Sequence, residues 1–398
     1  MQEGTALNLR DRSEKSLHSP ARVATVAFFL GGLYLLARIL IAAHGNASAL
    51  IVAGSQYVNE NKLGMKIPII QGSGYDGQFY FRLALDPFST SRSYSGITFD
   101  SPIRAQRILY PLLSWLISFG DPHLVPFAMI LVELLAWTAI AFFAALLARE
   151  SGRHPALGLA IAAFPGYFFS VGRDLTEPTA SALLLAAIYY ILKNQYWLAS
   201  LLLSLSVLAK ETGMVLVLSL GIYWFVTLIT KTRHARKGAR IPIYTWLIPL
   251  STFMVWQFVM SLVEQHEPLR SDISSNLSLP FVAMLRGIWE RIQHPLPIGN
   301  SLWVIQFASL VLLVILTFAR YRSNSIPALF EIAFAAMIAL SVSLSGEIWP
   351  NDNYLRSIDL VWVFGWLIIF YSKRPIRWWY SVLFVATALS AAQLVVFI

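Results

Sequence analysis

Residues 103–119 read IRAQRILYPLLSWLISF, and whether this stretch crosses a membrane decides the topology of everything around it. Arg104, Arg107, Pro111, Ser114 and Ser118 recur at spacings of three and four, a polar stripe along one side of a helix; Ile108, Leu109, Leu112, Trp115, Leu116 and Phe119 form the other side. Ser101 and Pro102 stand where an N-cap and a first helical residue belong. A helix so divided is expected to lie in the membrane interface, not across the bilayer.

A membrane is implied by composition. Of 398 residues, 57% are hydrophobic and 13% charged, with a mean hydropathy of +0.62, and the apolar residues fall in repeated runs of about 20. The sequence predicts an all-α polytopic membrane protein with about eleven transmembrane helices, at residues 23–43, 123–148, 156–171, 178–192, 197–209, 212–230, 243–263, 302–319, 326–345, 357–372 and 378–397. The first run carries one charge, Arg38, is too long for the apolar part of a signal peptide and lacks a small-residue cleavage site, so it reads as an uncleaved span. The absence of cysteine excludes disulfides, thiolate metal sites and cysteine nucleophiles.

With the N-terminus in the cytoplasm and residues 103–119 not crossing, every basic cluster falls on one side. These are Arg10, Arg12, Lys15 and Arg22; Arg149 and Arg153; Lys193; Lys231, Arg233, Arg236, Lys237 and Arg240; Arg320 and Arg322; and Lys373, Arg374 and Arg377, together 17 of the 30 Lys and Arg. The net charge of +9 is thus accounted for by topology and calls for no nucleic-acid partner. The expected organisation is a cytoplasmic tail over 1–22 and a single membrane domain over 23–398, with large outer loops at 44–122 and 264–301. Asp76, Asp86, Asp174, Glu177, Glu211 and Asp352 gather at the outer face, so the chemistry is expected there. No repeat of 20–50 residues and no inverted repeat is visible.

In the first outer loop, Tyr75-Asp76-Gly77 forms a turn with Asp76 at the N-cap of a helix that runs to Asp86 and stops at Pro87. The helix dipole favours an ionised carboxylate there, which makes Asp76 an acceptor or a base. A plain capping role is the simpler alternative, but it explains neither the run Tyr75, Phe79, Tyr80 and Phe81 nor the two arginines that follow, Arg104 and Arg107. A carboxylate facing cations at a bilayer surface suits transfer of a sugar from a polyprenyl phosphate. The leaving group is already a stable anion, so one base and phosphate-binding cations suffice. Glycoside hydrolysis, by contrast, uses two carboxylates.

YDGQFYFRLALDP and RAQRILYPLLSWL, residues 75–87 and 104–116, resemble the GT-C superfamily of polyprenyl-phosphate-sugar-dependent glycosyltransferases. More particularly, they look like bacterial relatives of the mannosyltransferases of glycosylphosphatidylinositol assembly. The resemblance implies in-plane helices in the first outer loop, Asp76 as catalytic base, and a bacterial inner membrane with the site on the periplasmic or extracellular face. It also implies a polyprenyl-phosphate-linked sugar donor, a glycan, lipid or protein acceptor, and an inverting transfer. Many members carry paired acids in this loop; the Asp-Gly found here leaves a divalent cation, Mg or Mn, an open question.

Candidate substrate contacts are Tyr75, Gln78 and Tyr80 beside the turn, Arg104 and Arg107 on the interfacial helix, and Arg173, Asp174 and Glu177 in the outer turn 172–178. Lys210 and Glu211 read either as an ion pair closing a hairpin or, with Lys210 free, as a phosphate contact. Trp349, Tyr354 and Arg356 read as sugar or pyrophosphate contacts or as an interfacial aromatic belt. Residues 280–292 are amphipathic, either shaping an acceptor groove or covering the bundle. His123, His266 and His294 lack ligand spacing. Glu133 and Glu331, within spans and costly to bury, read either as marking a polar path or as paired with Arg38 or a neighbouring hydroxyl. A lipid-linked glycan polymerase or ligase and a transporter or flippase are the competing classes; the first would place its large loop late in the chain, the second its ionisable residues at mid-membrane.

Overall fold

The computed structural model describes residues 19–230, 241–264, 270, 273, 275–293, 298–320, 327–349 and 353–397. Helix α1 (Pro20–Ile41) shows why the bundle needs lipid around it: Phe29, Leu30, Leu33, Leu36 and Leu40 are exposed, while Val23, Ala27, Tyr34 and Leu35 are buried. Water would not tolerate so large an apolar surface.

Residues 44–122 hold three α-helices, α2 (Gly77–Leu85), α3 (Ile103–Gln106) and α4 (Leu109–Ile117), braced by two short strand pairs. In one pair β1 (Ala53–Gly54) runs parallel to β2 (Ile69–Ile70); in the other β3 (Ser93–Tyr94) and β4 (Ile97–Thr98) form a hairpin. Residues 103–119 do not cross the bundle, but they are not the single helix expected. The chain breaks at Arg107 (φ −85°, ψ 60°) between α3 and α4. Pro111 is the cause: it offers no N–H to the carbonyl of Arg107, and its ring crowds that carbonyl. The first cap also differs, since Pro102 occupies the N-cap position without a side-chain bond. Of the polar stripe, Arg107, Ser114 and Ser118 are buried against protein; of the apolar face, Leu116 and Phe119 are exposed, but Leu109 is buried.

The bundle continues through α5 (Val125–Glu150), α6 (Gly158–Ala162), α7 (Pro165–Val171), α8 (Glu177–Leu192), α9 (Tyr196–Ala209), α10 (Met214–Thr230) and α11 (Tyr244–Glu264). It closes with α12 (Val282–Gln293), α13 (Ile298–Phe318), α14 (Ala328–Val342), α15 (Asn353–Ser357), α16 (Asp359–Tyr371) and α17 (Val385–Val396). Among the described residues, five helices are long and apolar enough to cross a membrane, and five shorter apolar ones accompany them.

The expected span 156–171 is instead broken into α6 and α7. Phe164 is extended, as the residue before Pro165 should be. The carbonyls this break frees are all taken: Trp362 donates to Ala160 at 2.8 Å, Trp137 to Ala162 at 2.8 Å and Thr387 to Ala163 at 2.6 Å. A broken helix inside a bilayer survives only with such replacements.

The two ends of the bundle have different chemistry. At one end Arg153 and Arg320 donate to the carbonyls of Phe370, Ser372, Arg374 and Pro375, capping the C-terminus of α16, and Lys193 pairs with Glu150 at 2.7 Å. These are members of the basic clusters read from the sequence, drawn to one end. Arg10, Arg12, Lys15, Arg322 and the cluster from Lys231 to Arg240 lie outside the described residues, as do Asp352, His266 and His294.

Candidate active site

The opposite end is built from helix termini. The turn into α2 brings Asp76, the α3–α4 break brings Arg104 and Arg107, and the α7–α8 turn brings Arg173 and Glu177. The α9–α10 turn adds Lys210 and Glu211, and α15 adds Arg356. All eight, with Tyr75 and Gln78, line one cavity of about 1380 Å³.

Glycines fix the turn. Gly74 (φ +66°) passes so close to Gly54 that a Cβ would sit 2.5 Å from its nitrogen. Gly77 lies against the backbone of the α7–α8 turn, where a Cβ would stand 2.4 Å from the carbonyl oxygen of Arg173. The glycine after Asp76 is therefore steric: no side chain fits at position 77. Gln78 is buried and secures the same turn, accepting from Gly54 N–H at 3.0 Å and donating to the Ser73 carbonyl at 2.7 Å.

Asp76 occupies the N-cap position, yet its side chain makes no capping bond. The capping reading is thereby corrected: the carboxylate turns away from the helix to the arginines. Its Oδ2 accepts from Arg104 Nη1 at 2.7 Å and from Arg356 Nη2 at 2.5 Å. Burial works to raise its pKa, but Arg104, Arg356 and Arg107 outweigh burial and hold the carboxyl well below the usual carboxylate range. Arg104 is gripped in turn by Asp100 through two bonds of 3.0 Å, a fork that nothing in the sequence reading had marked.

Around this pair stands a second tier. Arg107 holds Glu211 at 2.5 and 2.9 Å and donates to the Tyr80 hydroxyl at 2.8 Å. Gln106 donates to the same Glu211 at 3.1 Å and accepts from Gln257 on α11, while Trp256 donates to the Gln106 carbonyl. Lys210 pairs with Glu177 at 3.0 Å and donates to the Arg356 carbonyl at 2.8 Å. The expected Lys210–Glu211 pair is thus replaced by two cross-links to other elements. Lys210 is extended (φ −158°, ψ 136°), so it and its neighbour point to different sides of the chain.

Tyr80 and Asp174 are not among the residues lining the cavity. Tyr80 is buried beneath it, and Asp174 is buried in a left-handed turn (φ 53°) near Arg38 and Tyr110. Arg173 lines the wall with its guanidinium 3.9 Å from the centre of the Phe169 ring and 5.4 Å from that of Tyr75. Trp349 and Tyr354 are corrected to core residues, stacked on each other at 5.2 Å and buried; of that trio only Arg356 reaches the cavity. Helix α12 does not line the cavity either, although Ile273 and Ser275 to Leu277 before it do. Glu133 accepts from the Thr179 hydroxyl at 3.4 Å, the hydroxyl alternative.

Asp76, Asp100, Glu177 and Glu211 are each already paired with arginine or lysine, and among the described residues no three acid or imidazole side chains converge. Away from these charges the cavity becomes apolar, lined by Met214, Val215, Leu218, Ile222, Phe253 and Met254. Leu218, Ile222 and Met254 are exposed, so the apolar side of the cavity is open and not closed over by protein.

No family model matches the sequence, and no curated protein matches it. Among solved structures the chain is similar to ArnT from Cupriavidus metallidurans, whose crystal structure was determined bound to undecaprenyl phosphate. The TM-score is 0.53 at 11% identity, over 90% of this chain and 62% of that one. The chain spans 62% of ArnT's length, and the likeness is one of fold: a polytopic, largely helical membrane protein.

Proposed function

We propose that this protein is a membrane glycosyltransferase that moves a sugar from a polyprenyl-phosphate donor to a hydroxyl of a glycan, lipid or protein. The observation that carries the reading is the cavity's two-ended chemistry: an arginine-bound carboxylate at one end, and at the other an open apolar wall. An amphiphile with an anionic head and a hydrocarbon tail matches both ends at once, and the fold likeness to a protein seen with undecaprenyl phosphate supports that choice.

In the proposed reaction Arg104, Arg107, Arg356 and Lys210 bind the phosphate and stabilise the charge that grows on it as the sugar departs. Asp76 takes the proton from the acceptor hydroxyl. The acceptor oxygen bonds to the anomeric carbon from the face opposite the phosphate, the bond from that carbon to the phosphate oxygen breaks, and its electron pair leaves with the polyprenyl phosphate. One displacement gives inversion. Charge placement favours a cytoplasmic N-terminus and an outward-facing site, in a bacterial inner membrane if the sequence resemblance holds.

The test is a donor panel. Membranes containing the protein are incubated with labelled polyprenyl-phosphate sugars, mannose included. Consumption of one donor with release of polyprenyl phosphate is the expected result; no donor consumed in the presence of any acceptor class would overturn the assignment.

A further inference from the structure

The resting arrangement of the site is at odds with the role just proposed. A carboxylate whose single oxygen is shared by two guanidinium groups, at 2.7 and 2.5 Å, is a weak base, yet it is asked to deprotonate a hydroxyl. The same two arginines are the natural seat for a phosphate, because the guanidinium fork matches phosphate oxygens at least as well as a carboxylate. Arg356 also has a donor to spare: its Nη1 is buried, makes no hydrogen bond and lies 3.7 Å from the nearest acid oxygen, that of Glu177.

Resting on the donor reading above, we infer that Asp76 is a stand-in anion: the donor's phosphate displaces it from Arg104 and Arg356, and that exchange frees Asp76 to act as the base. Acceptor activation is then tied to donor occupancy. Without a donor, Asp76 stays clamped and cannot activate water or acceptor, so the protein does not deprotonate hydroxyls idly. With a donor seated, the phosphate satisfies the arginines, the cations withdraw from Asp76, and its affinity for a proton rises where it is needed. Asp100 keeps Arg104 oriented throughout the exchange, since it holds Nε and Nη2 and leaves Nη1 to pass from carboxylate to phosphate.

This makes an unusual demand on binding. If Asp76 competes with phosphate for the arginines, removing its charge must strengthen phosphate binding even as it abolishes turnover. The experiment measures the dissociation constant of a short-chain polyprenyl phosphate for purified wild type, Asp76→Asn, Asp76→Ser and Asp76→Glu in detergent, with folding checked by elution profile and thermal melting. The two neutral variants are expected to bind about tenfold tighter than wild type, in the range of a close charge-pair exchange, and Asp76→Glu, which keeps the competing charge, to stay near wild type. Having two neutral variants guards against one failing to fold. Unchanged or weaker binding in both, with wild type binding measurably, overturns the exchange and leaves the donor reading standing. If neither wild type nor the variants bind polyprenyl phosphate, the donor reading fails and the inference falls with it.

Discussion

At the scale of single residues, the site is held by fits that leave little freedom. Gly77→Ala would push a methyl carbon to 2.4 Å from the Arg173 carbonyl oxygen and 2.9 Å from that of Ile51, both backbone atoms that cannot swing aside. It should cost about 1–3 kcal/mol or more, as overpacking does, and lower the melting temperature, whereas Gly64→Ala, with nothing within 4 Å, should melt as wild type does. Lys210 and Glu177 make a similar argument in charge. Their side chains are 4% and 1% exposed, so Lys210→Met alone should cost about 3–5 kcal/mol by stranding a buried carboxylate, and adding Glu177→Gln should recover part of the loss. Melting curves of the single and double variants check this. The sequence could single out Asp76, Arg104 and Arg107 because charges beside aromatic runs at a span's edge need a reason. It could not pair Lys210 with Glu177 or Arg107 with Glu211, because these links join residues 33 and 104 positions apart and depend on how turns meet in space. Asp100 went unmarked although it stands only four positions before Arg104, a local spacing that the sequence does offer.

At the scale of elements, the α7–α8 turn is where burial and ionisation meet. Asp174 is fully buried there, with Arg38 on α1, Tyr110 on α4 and Glu133 on α5 around it. Burial raises its pKa to about 8 against the partial opposition of Arg38. Because the folded state keeps a proton that the unfolded chain gives up near pH 4, this contribution to stability is full below about pH 4 and is lost as pH rises through about 8. Melting temperature in detergent should therefore decline between pH 5 and 8, and Asp174→Asn should flatten that decline. Periodicity also has a limit at this scale. A polar stripe at spacings of three and four was enough to read residues 103–119 as something other than a span, but the break at Arg107 follows from one proline's missing N–H, a local event that periodicity averages away. The split of 156–171 has the same cause at Pro165, and the tryptophans that repair it come from α5 and α16, far along the chain.

At the scale of the whole molecule, the bundle was legible in runs of apolar residues, because each span must satisfy its own backbone and expose apolar side chains to lipid. The outer loop was legible only in part, since its short strands and close glycine contacts carry no periodic signal. Orientation is open to a clean test because the chain has no cysteine. Thr90→Cys, exposed in the first outer loop, should react in intact cells with a membrane-impermeant maleimide, and Lys373→Cys, at the basic end, should react only after lysis. The reverse pattern would invert the topology.

The most direct measurement is sugar transfer by the purified protein in liposomes, given a polyprenyl-phosphate sugar and an acceptor hydroxyl, comparing wild type with Asp76→Asn at equal folded protein. Wild type is expected to convert donor to polyprenyl phosphate and glycosylated acceptor, and Asp76→Asn to do so about 10²–10⁴-fold more slowly, the range for loss of a general base. Equal rates in the two would contradict the assignment of Asp76 and, with it, the reading of this cavity as the active site.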